Sequence, residues 1–293
     1  MPTFNQAAFL NQAINSVVNQ SFKNWELIVI DNNSTDFTSK ILSTFKDSRI
    51  KKVKIQNNGV ISKSRNLGIK KSSGNWIAFL DSDDIWFENK LEYMTDCIIK
   101  NPNFEVFCND EMSVNFTNGD SKRLEYGPYK KNFYDHLLLY GNCVSTSATI
   151  VNREFLTKTN LEFSEDISIR TAEDYDLWLK LALNGARFYF ADKVLGEYRI
   201  HSNNNSSSID IHYNSVRKVV FSHINRLKLN PRKNKKYLRK AETRLLLSFA
   251  KALYVNRCFL RMIYTITKSF YNSPQNFFGL IFRKFFRLKL IKI

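Results

Sequence analysis

The chain has 293 residues, 43% hydrophobic and 14% aromatic, which is ample for a packed core and excludes a disordered or low-complexity protein. Its net charge of +17 is unevenly placed: from Arg217 onward there are 20 Lys and Arg against one acid, Glu242, whereas the 216 residues before carry 24 basic and 26 acidic side chains. The four cysteines form no C-x-x-C pair and no metal-like spacing with histidine, so they read as reduced thiols, excluding a disulfide-stapled scaffold or a zinc ribbon.

In chain order, Pro2-Thr3-Phe4-Asn5 reads as the loop after a strand. Residues 6–19 carry a helical stripe of Ala7, Leu10, Ile14, Val17 and Val18. Residues 26–30 are a short apolar strand running into the polar loop 31–36, which can cap a following helix. A strand is predicted at 51–55, a turn at Asn57-Asn58-Gly59, and a helix over 62–71 that carries Arg65 and Asn66. The apolar run Trp76 to Leu80 predicts a buried strand, followed at once by Asp81-Ser82-Asp83-Asp84. A helix is expected from about 88 to 100, stopped by Asn101-Pro102-Asn103, then strand-forming stretches at 104–114 and 144–151. The clearest helix of the second half is 171–183, with Glu173 and Asp174 in its first turn. Residues 187–198 read as one or two strands and 199–208 as a polar loop.

Strand, polar loop and helix repeated at this spacing predict an α/β fold with a mostly parallel central sheet and flanking helices. Ligands of such sheets lie at the C-terminal ends of the strands. Three carboxylates within four positions repel one another unless a cation sits among them, and oxygen ligands favour Mg²⁺ or Mn²⁺, ions that usually also hold a phosphate. The competing explanation is a helix cap supplied by Ser82 or Asp84, but one Asp satisfies a cap and three are excessive.

Together these pieces resemble the family 2 glycosyltransferases. The likeness covers about residues 2–208. It rests on Pro2-Thr3-Phe4-Asn5, on the block Gln20 to Asp31 with Ser34-Thr35-Asp36, and on Gly59 with Arg65-Asn66-x-Gly68. Phe79 to Asp84, Glu173 to Trp178 and Tyr198-Arg199-Ile200-His201 complete it. The resemblance implies a GT-A fold and inverting transfer of a sugar from a nucleotide sugar, typically a UDP-sugar, to a hydroxyl of a glycan or lipid-linked acceptor in surface polysaccharide synthesis. It puts Thr3, Asn5, Asp31, Asn32, Gly59, Arg65 and Asp81 at the donor nucleotide, with Asp31 and Asn32 at the base. Asp81 and Asp83 match the family's D-x-D and would hold Mn²⁺ or Mg²⁺, with His201 nearby. Asp174 matches the catalytic base, and Glu173, Tyr198 and Arg199 fall on the acceptor side. Asn32 stands where the family often has a second Asp, which leaves the base open.

The family also begins with an apolar strand before the Pro-Thr-Phe-Asn block, and here Met1 stands directly against Pro2. A missing first strand would open a slot beside the nucleotide, so the alternative expectation is an N-terminally truncated, catalytically crippled, membrane-peripheral homologue. The division expected is a GT-A domain over 1–210, its donor half about 1–103 and its acceptor half about 104–210, then a basic helical tail over 211–293. Residues 237–266 read as one or two helices packing back on the domain. In 277–293, Phe278, Ile281, Phe282, Phe285 and Leu288 share one helical face opposite Arg283, Lys284 and Arg287, the pattern of a helix lying in an anionic membrane surface. No signal peptide and no apolar run long enough to span a bilayer is seen, so a cytoplasmic protein peripheral at the inner membrane face is expected. Nucleic acid, with no recognised module to accompany the charge, is not expected as a partner.

Overall fold

The computed structural model describes the backbone of residues 1–116, 118–201 and 208–290, and the side chains of all of these except 283–290. In chain order the elements are β1 (Pro2–Thr3), α1 (Ala7–Val18), β2 (Leu27–Asp31), α2 (Thr38–Thr44), β3 (Ile50–Lys54), α3 (Ile61–Lys71), β4 (Trp76–Ala78), β5 (Ile85–Trp86), α4 (Lys90–Lys100) and β6 (Val106–Asn115). There follow β7 (Ser121–Leu124), α5 (Phe133–Tyr140), β8 (Thr149–Asn152), α6 (Arg153–Thr159), α7 (Glu173–Leu183), β9 (Phe188–Ile200), α8 (Ile209–Arg226), α9 (Pro231–Val255), α10 (Phe259–Asn272) and α11 (Pro274–Leu290). The chain forms two compact units, Met1–Lys131 with Cys143–Ile167 and Asp176–Asn204, and Asn132–Asn142 with Ser168–Tyr175 and Asn205–Ile293.

In the first unit, β1, β2 and β3 form a parallel sheet in that order. All five residues of β2 are buried, which is why its sequence is a continuous apolar run and not an alternation. Met1 to Thr3 still pair as a strand: Ile30 N–H donates to the Met1 carbonyl and Asn32 N–H to that of Thr3, each at 2.9 Å. This strand is short, and among the described residues it pairs with β2 alone, while β4 pairs with β8. The second sheet runs β4-β8-β6-β9-β5, with β7 on β6, and only its β6–β9 pairing is parallel. The predicted parallel pairing therefore holds in the first sheet, and the second is mixed. After α4 the strand–loop–helix rhythm lapses, and β8 enters between β4 and β6 antiparallel to both.

Two polar residues, the exposed Asp36 and the buried Gln20, seat the helices of this unit. Asp36 accepts the first N–H of α1 from Ala7 and the first N–H of α2 from Thr38, both at 2.9 Å, so the 31–36 loop caps two helices. Gln20, fully buried, accepts Leu91 N–H in the first turn of α4 at 2.9 Å and donates to the carbonyls of Ser16 and Phe87. The core beneath joins Leu10, Ile14, Val29, Leu42, Leu80 and Trp86, so α1, the first sheet and the strand before Asp81 share one apolar cluster.

The second unit is helical. Asn230 caps α9 by accepting Lys233 N–H at 2.9 Å, with Pro231 at the first helical position. The predicted helical stretch 237–266 proves to be two helices, α9 and α10, broken where Arg257 takes φ +58°. Tyr213 stacks on Phe249 at 4.4 Å, and Glu242, the tail's one acid, pairs with Arg217 at 3.0 Å. Phe285, Leu288, Arg283, Lys284 and Arg287 of the predicted membrane face lie outside the described side chains. Among the described residues no helix is long and apolar enough to cross a membrane.

Candidate active site

β2 delivers Asp31 to its C-terminal end, opposite Thr3 of β1. Asp31 Oδ1 accepts the N–H and the hydroxyl of Ser34, at 3.0 and 2.6 Å. Its Oδ2 is buried without a hydrogen-bond partner among the described residues, and so is Thr3 Oγ1. An unpaired buried oxygen costs roughly 1–3 kcal/mol, so two of them at one strand end could accept from donors that a ligand brings. Asn5, at φ +50°, knits the same loop: its Oδ1 accepts Thr35 N–H at 2.8 Å. Asn32 Oδ1 accepts Asn57 N–H at 2.7 Å and Asn57 Oδ1 accepts Gly59 N–H at 2.9 Å, so the oxygen expected to face a base holds the 57–59 turn. Gly59 takes φ +77°, the left-handed conformation that this turn requires.

Arg65, buried on α3, reaches Asp81 through Nη2, at 2.8 Å from Oδ1 and 3.1 Å from Oδ2. Asp83 Oδ2 lies 3.0 Å from His201 Nε2, although 118 positions separate them in sequence. The His201 ring is stacked on Phe9 at 4.4 Å, which fixes the direction of Nε2. Burial first, and then the charge of Asp81, push the Asp83 carboxyl above the usual carboxylate range, and His201 opposes the shift. Among the described residues no group of three or more His, Cys, Asp or Glu forms a ready-made metal cage. An ion that bridges a diphosphate needs only one or two protein carboxylates, the rest of its shell being phosphate and water. Asp81 and Asp83 meet that requirement.

Asp84 is not the helix cap that the competing explanation would make it. It is buried; its Oδ1 accepts Arg199 N–H at 2.9 Å and its Oδ2 accepts the Ser147 hydroxyl at 2.5 Å. Gln20 serves α4 instead. Ser147, which nothing local in the sequence marked, also accepts Asp81 N–H on Oγ at 3.1 Å, and its carbonyl takes Trp86 Nε1–H at 2.8 Å and Lys90 Nζ at 2.7 Å. Lys90 is fully buried, and desolvation pulls its ammonium down to about 8 despite the opposing charge of Glu111. Glu111, raised by its own burial, accepts from Tyr126 and Ser145 at 2.8 and 2.7 Å. Ser147 is thus the hub that ties the carboxylate loop to β8 and α4. Ser147→Ala removes the partner of Asp84 Oδ2 and of the Asp81 N–H and is expected to destabilise the chain by about 2–3 kcal/mol, read as a lower denaturant midpoint at unchanged slope.

A glycosyl transferase family 2 model matches residues 1–158, more than half of the chain. The chain is a family 2 glycosyltransferase. It is 32% identical over 210 residues, 71% of its length and 78% of the relative's, to the Escherichia coli UDP-Glc:α-D-GlcNAc-diphosphoundecaprenol β-1,3-glucosyltransferase WfgD. It is 28% identical over 215 residues, 71% and 80% of the two lengths, to the putative teichuronic acid biosynthesis glycosyltransferase TuaG of Bacillus subtilis. The mannosyltransferase PcManGT of Pyrobaculum calidifontis, solved with GDP-Man and Mn²⁺, superposes with a TM-score of 0.61 at 16% identity, covering 92% of this chain and 73% of that one. The fold is GT-A, and the transferase is of the surface-polysaccharide type.

The residues of this glycosyltransferase predicted for the acceptor are divided between the two units. Asp174 and Glu173 stand in the first turn of α7 within the second unit; the Asp174 carboxylate accepts Tyr175 N–H at 2.7 Å, and Glu173 is buried. Tyr198 and Arg199 lie near the end of β9 in the first unit. The Arg199 guanidinium donates to Gln12 Oε1 at 2.6 Å and Glu197 at 3.2 Å, and packs over Phe116.

Proposed function

We propose that this transferase moves a sugar, with inversion, from a nucleotide sugar to a hydroxyl of a lipid-linked glycan at the inner face of the cell membrane. The observation that carries the reading is the meeting of Asp83 with His201 beside the Asp81–Arg65 pair, at the strand ends where Asp31 and Thr3 offer unpaired oxygens. WfgD's named reaction, UDP-Glc onto a diphosphoundecaprenol-linked sugar, supports the substrate class. Asp31, Thr3 and the 57–59 turn bind the nucleoside, and Arg65 orients Asp81. Asp81 and Asp83, with His201, would hold Mn²⁺ or Mg²⁺, which neutralises the diphosphate as a Lewis acid when bound. Asp174 takes the acceptor hydroxyl proton as that oxygen bonds the sugar carbon and the bond to the diphosphate breaks on the opposite face. Glu173, Tyr198 and Arg199 position the acceptor. The transferase domain is placed at 1–210, with a basic tail over 211–293 whose terminal helix, by its sequence pattern, meets anionic lipid.

Thermal-shift titration with UDP, GDP, CDP and ADP, with and without Mn²⁺, tests the donor site. A ligand at 100 times its Kd stabilises by about 2.7 kcal/mol, so one nucleotide is expected to raise the melting temperature by several degrees, and only with the metal. A chain that melts cooperatively yet responds to no nucleotide overturns the reading.

A further inference from the structure

α10 is amphipathic the wrong way round for a helix that merely packs on its neighbour. The face it turns to α9 is polar: Ser269, 0% exposed, donates its hydroxyl to the Thr243 carbonyl at 3.1 Å, and Asn272 donates to Arg239 O at 2.8 Å and Thr243 Oγ1 at 2.9 Å. Thr265 is buried on the same side and returns its hydroxyl to Arg261 O. The opposite face is largely apolar and bare, interrupted by the exposed Thr267, with Leu260 85% and Tyr271 82% exposed, and Phe259, Ile263 and Tyr264 each more than half exposed. At 100° per residue these five side chains fall within less than half a turn of the helix. Tyr254 and Val255 at the end of α9 extend the patch, the Tyr254 ring meeting Phe259 at 6.1 Å, and Phe270 carries it to Phe277 and Phe278 of α11 at 5.6 and 5.9 Å. A surface helix normally buries its apolar stripe, and a contiguous exposed one marks an interaction surface.

We infer that this face of α10 inserts into the surface of an anionic lipid bilayer. Charge chooses the occupant. Arg257, Lys268 and Lys251 are exposed around the patch, and the chain from Arg217 onward carries 20 basic residues against one acid. A second copy would bring the same charge to the same face and be repelled, whereas anionic headgroups complement it. Exposed tyrosines with apolar rings and polar tips suit the headgroup boundary. The inference shares the partner class of the proposed function but assigns it to an internal helix, α10, that the sequence pattern had read as packing back on the domain.

The full-length protein is mixed with vesicles of phosphatidylcholine alone and of phosphatidylcholine with about 30% phosphatidylglycerol, and binding is read by co-sedimentation. The parent is expected to bind the anionic vesicles, with affinity falling as salt rises. Leu260→Glu with Ile263→Glu, both on exposed positions, is expected to melt as the parent does and to bind at least about tenfold more weakly. Phe278→Glu, in α11, is run beside it. Binding lost in Phe278→Glu but unchanged in the α10 variant overturns the assignment to α10 and leaves the terminal-helix reading intact. A parent that ignores anionic vesicles overturns both. A parent that instead dimerises in light scattering, with the dimer dispersed by the α10 substitutions, overturns the lipid assignment in favour of a second copy.

Discussion

Asp83→Ala is expected to reduce sugar transfer by at least about a thousandfold and to leave the fold in place. The size follows from what the carboxylate would hold: a cation on a departing diphosphate is worth several kcal/mol in the transition state, and roughly 4 kcal/mol corresponds to three orders of magnitude. The intact fold follows from the environment of the group. Asp83 is mostly buried and its charge is disfavoured by burial and by Asp81, so its removal relieves repulsion while giving up the contact with His201. The melting temperature of the variant without ligand should therefore match or slightly exceed that of the parent. Asp83→Asn separates charge from shape: the amide oxygen can still face His201 Nε2, but it binds a divalent ion poorly, and its turnover should fall with that of the alanine variant. Release of nucleoside diphosphate from the donor, followed with acceptor present, reads both. Turnover within tenfold of the parent in Asp83→Ala would remove Asp83 from the site.

How much of this was legible before the fold was known depends on range. The strand ending in Asp31 and the one ending in Asp81-Ser82-Asp83-Asp84 are local patterns, apolar runs meeting polar clusters, and β2 and β4 stand there. The cap on α1 came from the loop expected to cap only the next helix, because Asp36 has two oxygens and both N-termini lie within reach. His201 could be tied to the carboxylates by the resemblance, but not by spacing, since 118 residues intervene. Ser147 and Glu111 carried no signal, being one hydroxyl and one acid in strand-forming stretches. Lys90 did carry one: with Leu91, Met94 and Cys97 it falls on the buried stripe of α4, so a lysine at a core position announced a buried partner. The mixed second sheet was not legible, because short strands such as β5 have no periodicity and pairing direction is a tertiary property. α8 falls within the helical tail expected from residue 211, but no separate helix was legible there although Val219, Val220 and Ile224 form part of its buried face; its polar first turns obscured the stripe.

Asp174→Asn separates chemistry from helix design more sharply than any change at the donor end. As an acid in the first turn of α7, Asp174 has an ordinary structural use: its charge faces the positive end of the helix, worth about 0.3–1 kcal/mol, and its carboxylate accepts Tyr175 N–H. Asparagine keeps an acceptor oxygen for that N–H and forfeits the charge. If helix design were the whole of its role, the variant would melt slightly lower and turn over as the parent does. As the base of an inverting transfer, the carboxylate must accept the acceptor's proton while the new C–O bond forms, and a neutral amide cannot. Positioned proton transfer contributes about a hundred- to ten-thousandfold, so kcat is expected to drop by that factor while metal-dependent stabilisation by nucleotide stays at the parent's level. Asp174→Glu, which keeps the charge but displaces it by one methylene, should recover part of the rate without changing nucleotide binding. The pattern that assigns Asp174 to the chemistry is a lost kcat, an unchanged donor response and partial rescue by Glu. A variant that loses the donor response as well has been disturbed in its fold, and one that retains kcat returns Asp174 to the helix.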